Sequence, residues 1–204
     1  MYRNIPIFYI NLECRPDRCK DIVNELEKYN LKGERVEAIK HENGYLGCVL
    51  SHIKCIDKAI KEDYEEVIIL EDDFIFTDNP NKLNLDIGYD IFLLGGSIWN
   101  MKKEFNFMRV LDASRTEGYI IKKHYYNVLK ECWIKSVSNL LREFTHETKL
   151  DIAWKVLQKT DKFYINDFGL IGGQREGYSN IMFQDIKRIN YCDARSAAKI
   201  KPFS

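Results

Sequence analysis

The most constraining feature of the chain is Val67-Ile68-Ile69-Leu70 running straight into Glu71-Asp72-Asp73. Four consecutive apolar residues read as a strand covered on both faces, because a strand wetted on one side would alternate. Such a strand needs helices above and below it. The remaining sequence supplies them by alternating short apolar runs with stretches of helical period, the pattern of an α/β fold. Residues 5–12 read as a first buried strand. Residues 17–29 follow as a helix carrying Ile22, Val23, Leu26 and Tyr29 at helical spacing, with Pro16 suited to its first position. A short strand is predicted at 35–39, after Gly33, and a long helix at 46–60. In that helix Leu46, Val49, Leu50, Ile53, Ile56 and Ile60 form one apolar stripe.

Beyond the strand at 67–70, further strands are expected at 90–94, 108–111, 118–121 and 162–165, and helices at 124–134 and 151–157. Residues 169–177 are glycine-rich, and the tail from Ile186 is mildly basic and is expected to be loosely ordered. With 204 residues, four prolines and no repeat, linker or low-complexity stretch, the chain reads as a single domain.

Thirty-one Lys and Arg balance 31 Asp and Glu, which argues against nucleic acid as a partner. No apolar run approaches the roughly 18 residues a membrane helix needs. Asn11, Glu13 and Arg15 interrupt any signal-peptide core near the start. Six cysteines, at 14, 19, 48, 55, 132 and 192, match no common zinc spacing. In a chain large enough to hold a core without disulfides they are expected to be reduced. No Asn-x-Ser/Thr acceptor occurs, and the expected compartment is cytoplasmic.

Four segments carry the polar chemistry. Glu71, Asp72 and Asp73 crowd at the carboxyl end of a buried strand, where open α/β sheets bind ligands. Like charges so close raise one another's pKa unless a cation joins them, and hard oxygen ligands select Mg²⁺ or Mn²⁺. In extended chain Glu71 and Asp73 share one side and Asp72 takes the other. The alternative is an acidic turn that ends the strand. In Gly44-Tyr45-Leu46-Gly47-Cys48-Val49-Leu50-Ser51-His52, the glycines permit close backbone approach at a helix start, which suits a ligand. Cys48, His52 and Cys55 on one helical face form a soft-metal pattern, and His52 is a possible base; the alternative is a helix packed on the core. Residues 11–18, Asn-Leu-Glu-Cys-Arg-Pro-Asp-Arg, sit where a Rossmann-like half holds a nucleotide, but lack the glycine fingerprint and the P-loop. Their arginines serve either a diphosphate or ion pairs on a helix face. Asp151, near a helix start, is either a cap or a base.

Taken together these segments resemble glycosyltransferase family 25, the lipooligosaccharide-type and procollagen galactosyltransferase-like group. The resemblance is carried by Asn11, Leu12, Arg15, Asp17 and Arg18, then by Gly44, Gly47, Cys48, Ser51 and His52. Glu71, Asp72 and Asp73 follow, then Thr116, Gly118 and Tyr119, with Asp151, Gln174, Ser179 and Ile181 later in the chain. Lys122 stands where the family often has Ser. The resemblance implies a GT-A-type α/β fold, a Rossmann-like nucleotide-binding half on a mixed central sheet. A nucleotide-sugar half is expected at 1–95, an acceptor half at 96–185 and a tail at 186–204. It further implies a UDP-sugar donor, most readily UDP-galactose, a Mn²⁺ or Mg²⁺ ion, inversion at the anomeric carbon, and a glycan or hydroxylysine acceptor. On that pattern Glu71 and Asp73 hold the metal. Asn11, Leu12, Arg15, Arg18, Ala38, Gly44, Ser51, His52, Asp72 and Gln174 surround the donor, and Asp151 is the catalytic base. The rival readings are a non-catalytic nucleotide-sugar- or glycan-binding domain of the same fold, and a phosphoesterase built on the acidic triplet. The second lacks the further carboxylate and histidine cluster of a two-metal site.

Overall fold

The computed structural model describes residues 4–142, 149–179 and 184–186. The expectation of a loose tail from Ile186 falls almost wholly outside them. So does Ile181, one of the residues that carried the resemblance.

An eight-stranded mixed sheet forms the centre. Its strands are β1 (Ile7–Asn11), β2 (Glu34–Glu37), β3 (Glu66–Glu71), β5 (Ile91–Leu93), β6 (Ser97–Glu104), β7 (Phe107–Ser114), β8 (Gly118–Lys122) and β9 (Phe163–Asn166), in the order β2-β1-β3-β8-β5-β9-β7-β6. β1 runs parallel to β2 and β3, whereas β8 is antiparallel to both of its neighbours, β3 and β5. β4 (Phe74–Phe76) pairs with β10 (Gly172–Gln174), and β11 (Gly177–Ser179) with β12 (Gln184–Ile186). The α/β class and the mixed sheet are as expected.

The apolar runs do what double coverage demands. Along β1 and β3, Phe8, Ile10, Val67 and Ile69 enter one core, while Ile7, Tyr9, Ile68 and Leu70 enter the other. The first core is closed by α2 (Gly44–Lys61) and α3 (Tyr126–Arg142), the second by Ile22 and Leu26 of α1 (Pro16–Glu27). Pro16 lies in the first turn of α1, where its missing N–H breaks no hydrogen bond.

Several elements differ from the expectations. β6 was not foreseen; it is an edge strand, exposed at half of its residues, bearing Lys102 and Lys103, and edges of that kind carry charge that deters pairing with other chains. α3 continues to Arg142 because Ser136 and Leu140 extend the buried stripe of Leu129 and Trp133. The expected helix at 151–157 is two single turns, α4 (Leu150–Ala153) and α5 (Lys155–Gln158). They meet at Trp154, whose ring is buried against Tyr119, Trp133 and Phe163. No disulfide forms among the described residues: Cys14, Cys19, Cys48, Cys55 and Cys132 are free.

Candidate functional site

The carboxyl ends of β1, β2 and β3 open together into a cavity of about 370 Å³. Three connections build it. Leu12, Cys14 and Arg18 come from the segment leaving β1, and residues 38–42 from the one leaving β2. Glu71, Asp72 and Asp73 come from the end of β3. The N-terminal turns of α2 form a wall through Gly44, Gly47, Cys48, Ser51 and His52, and Gln174 arrives from β10.

That wall follows from local chemistry. Asn43 caps α2 by accepting from the Tyr45 and Leu46 N–H groups. Ser51 Oγ accepts from the Ile39 N–H at 2.8 Å and donates to the Gly47 carbonyl at 2.6 Å, which ties the connection after β2 to the helix. Gly47 is required there, since a Cβ would lie 2.5 Å from the Ile39 carbonyl oxygen. The positive end of an 18-residue helix therefore points at the cavity, a setting that favours an anion.

The acidic triplet is not arranged as extended chain would place it. β3 ends at Glu71, and Asp72 and Asp73 lie in a turn before β4. Instead of facing opposite sides, Asp72 and Asp73 share the Arg18 guanidinium, at 2.9 and 3.3 Å. Glu71 turns the other way. Its Oε1 accepts from Thr116 Oγ1 at 2.8 Å and lies 3.4 Å from His52 Nε2. Burial pushes the Glu71 carboxyl up, but His52 and Thr116 outweigh it and leave the pKa lowered. Burial and the neighbouring Glu71 charge raise Asp73 to about 7, despite Arg18 and Gln174. Burial likewise raises Asp72.

Residues further along the chain complete the surroundings. Gln174 Nε2 donates to Asp73 Oδ2 at 3.0 Å, and Arg115 Nη1 donates to Gln174 Oε1 at 2.9 Å. The Arg115 N–H donates to Asp151 Oδ2 at 3.1 Å. A continuous chain of contacts thus joins Asp151 to Asp73. Asp151 lies outside the cavity lining and makes no side-chain cap to α4; its Oδ1 has no hydrogen-bond partner among the described residues. Glu117 is buried beside this chain and is raised to about 8, chiefly by burial.

Of the residues singled out from sequence, Leu12, Arg18, Ala38, Gly44, Ser51, His52, Glu71, Asp72, Asp73 and Gln174 line the one cavity. Asn11 stands behind it, donating to Asp72 Oδ2 at 2.8 Å and accepting from Arg35. Arg15 pairs with the exposed Asp17 outside the lining. Ile39, Lys40, His41 and Glu42 were not anticipated, and no sequence signal marks them beyond their position between a strand and a capped helix. Arg115 was also missed; only its place before Thr116 hinted at it.

The hard-cation expectation has one direct support in the side chains: Asp73 Oδ1 is buried and has no hydrogen-bond partner among the described residues. A carboxylate oxygen left so beside a cavity fits a Mg²⁺ or Mn²⁺ ligand.

Residues 42–108 match the model of glycosyltransferase family 25 (LPS biosynthesis protein). The matched segment holds the α2 motif and the acidic triplet, and stops before Asp151. No curated protein matches the chain. Among solved structures, the chain is similar to a glycosyltransferase involved in the glycosylation of the major capsid of PBCV-1. The TM-score is 0.59 at 10% identity, covering 86% of this chain and 94% of that one. A197 from STIV gives a TM-score of 0.49 at 11% identity, covering 92% and 95%. At such identities the first likeness shows the fold and nothing finer. The chain thus shares an α/β fold with that glycosyltransferase, and its segment 42–108 resembles family 25, the family that the sequence motifs suggested.

Proposed function

We propose that the chain transfers a hexose, with galactose the first candidate, from a UDP-sugar to a hydroxyl of a glycan or protein acceptor. Transfer proceeds with inversion and depends on a divalent metal. The observation that carries the reading is the cavity at the carboxyl ends of three parallel strands. It combines a helix N-terminus, Arg18 and a carboxylate with an unpartnered oxygen.

The residues divide the work by chemistry. The N-terminal end of α2 faces the donor diphosphate with the positive end of the helix dipole. Leu12, Ala38 and Ile39 supply an apolar wall for the nucleoside, with Lys40, His41 and Glu42 beside it. Arg18 neutralises Asp72 and Asp73, which otherwise would repel a diphosphate. Asp73 would hold Mn²⁺ or Mg²⁺ through its unpartnered Oδ1, whereas Glu71, which the motif paired with it, turns away towards His52. Such an ion, when bound, supplies Lewis-acid neutralisation of the leaving diphosphate. Asp151 takes the acceptor proton as the hydroxyl attacks from the face opposite the leaving group. The contacts Asp151–Arg115–Gln174–Asp73 fix the spacing between the donor and acceptor ends.

One observation favours a variant of this reading in which donor binding needs no metal: Arg18 already provides a cation among the carboxylates. UDP release from a panel of UDP-sugars, measured in Mn²⁺ and in chelator, decides both points. Release with one sugar that falls at least tenfold in chelator supports the reading as stated. Release unaffected by chelator transfers the diphosphate to Arg18 and the helix. UDP binding without release from any sugar refutes transfer and leaves a binding domain.

A further inference from the structure

Cys48, His52 and Glu71 hold a second kind of chemistry in the same cavity. One ligand atom from each lies within 4.8 Å of the others. Cys48 and His52 are one helical turn apart on α2, so their side chains project from the same face. Glu71 reaches them from the end of β3. His52 is fully buried, and its Nε2 makes no aligned hydrogen bond among the described residues; it faces Glu71 Oε1 at 3.4 Å, the polar contact that, against burial, lowers the Glu71 carboxyl. The outer contacts are those of a ligand set. Tyr119 Oη lies 3.0 Å from His52 Nδ1, and Thr116 Oγ1 donates to Glu71. Partners of this kind fix the imidazole tautomer and orient the carboxylate at metal centres.

We propose that Cys48 Sγ, His52 Nε2 and a Glu71 carboxylate oxygen form a three-ligand site for a soft divalent cation of the Zn²⁺ type, with the fourth position open to the cavity. Thiolate and imidazole select such an ion over Mn²⁺ or Mg²⁺. Zinc bonds of about 2.0–2.3 Å bring ligand atoms to roughly 3.3–3.8 Å of one another, so the set must close by about 1 Å. Glu71, whose side chain is 23% exposed, can supply that movement. Binding replaces the thiol proton, which passes to solvent. The site stands apart from the donor reading, because an ion bound there is detected without any sugar nucleotide.

Co²⁺ serves as the probe. Titrating the full chain with Co²⁺ in the absence of nucleotide should give a sulfur-to-cobalt charge-transfer band and tetrahedral d–d bands that saturate at one ion per chain. Zn²⁺ should bleach both. Cys48→Ser should lose the charge-transfer band and at least about tenfold in Co²⁺ affinity, with its far-ultraviolet circular dichroism unchanged. Cys14→Ser, at the other thiol lining the cavity, should keep the spectrum. If Cys48→Ser does not fold, alkylation mapping on the wild-type chain serves instead: Zn²⁺ should protect Cys48 and leave Cys14 reactive. The absence of a charge-transfer band in the wild type overturns the site. So does a band that persists in Cys48→Ser, or protection of Cys14 in place of Cys48.

Discussion

Replacing Arg18 by methionine tests whether its guanidinium is the counter-charge that makes the acidic turn tolerable. Its Nη1 lies 2.9 Å from Asp72 and 3.3 Å from Asp73, and all three side chains are less than a fifth exposed. At such separations each pair is worth about 5 kcal/mol of Coulomb attraction at an effective dielectric of about 20. Desolvation of the guanidinium offsets part of this, and removing one member of a buried ion pair costs about 3–5 kcal/mol. Protonation limits the loss. Asp73 is already raised to about 7 by burial and by Glu71, so without Arg18 it holds its proton at neutral pH. We therefore expect about 3 kcal/mol at pH 7, or roughly 6–12 °C in Tm for a chain of this size.

The penalty should shrink at pH 6, where Asp73 is protonated in the wild type as well and gains nothing from Arg18, and grow at pH 8.5, where the wild type ionises Asp73 beside Arg18 while the variant must keep the proton or bear repulsion from Asp72 and Glu71. Mn²⁺ should raise the Tm of Arg18→Met more than that of the wild type, since the variant's carboxylates lack a cation of their own. Urea unfolding at three pH values, with and without Mn²⁺, measures all of this. A loss under about 1 kcal/mol that does not vary with pH would refute the role given to Arg18.

Asp73→Asn should lose metal-dependent UDP affinity together with turnover, the latter by roughly a thousandfold, as calorimetry and UDP release would show. Asp151→Asn keeps an acceptor for the Arg115 N–H, so UDP affinity should stay near wild type while turnover falls by roughly 10²–10⁴-fold; full activity would remove Asp151 as the base. Gly47→Ala places a methyl 2.5 Å from the Ile39 carbonyl and should lower stability by about 1–3 kcal/mol, read in urea. Glu117 is raised from 4.5 to about 8 in the folded chain, so the folded state holds a proton that the unfolded state has released between those values. Its contribution therefore lowers stability as pH rises from about 4.5 to about 8, and Glu117→Gln should flatten that slope in a pH series of Tm.

The elements that were legible from sequence are those whose pattern reports burial directly. β1 and β3 are apolar along their length because both faces are covered, and α1 and α2 carry one stripe each. β6 was illegible because an edge strand with a single buried residue has no apolar pattern to read. The break at Trp154 was illegible for the opposite reason. Its ring belongs to a tertiary aromatic cluster, and helical spacing on either side of it gives no sign of the turn.

The site divides along the same line. Residues at strand ends and helix starts, such as Asp72, Gly47 and Ser51, could be placed because the chain itself carries them to one sheet edge. What each side chain does there depends on partners distant in sequence. Arg15 and Arg18 look equivalent in the segment after β1, yet Arg18 reaches residues 54 and 55 positions away while Arg15 closes on Asp17. The three carboxylates were read as one cluster awaiting one cation, but the turn after β3 divides them. Asp72 and Asp73 face Arg18, and Glu71 faces His52. That division decides the chemistry. A carboxylate pair already joined to a guanidinium is suited to a diphosphate and a hard ion at the one remaining oxygen. A carboxylate turned towards a thiol and an imidazole is suited to a softer ion, and no spacing within residues 71–73 could have told the two apart.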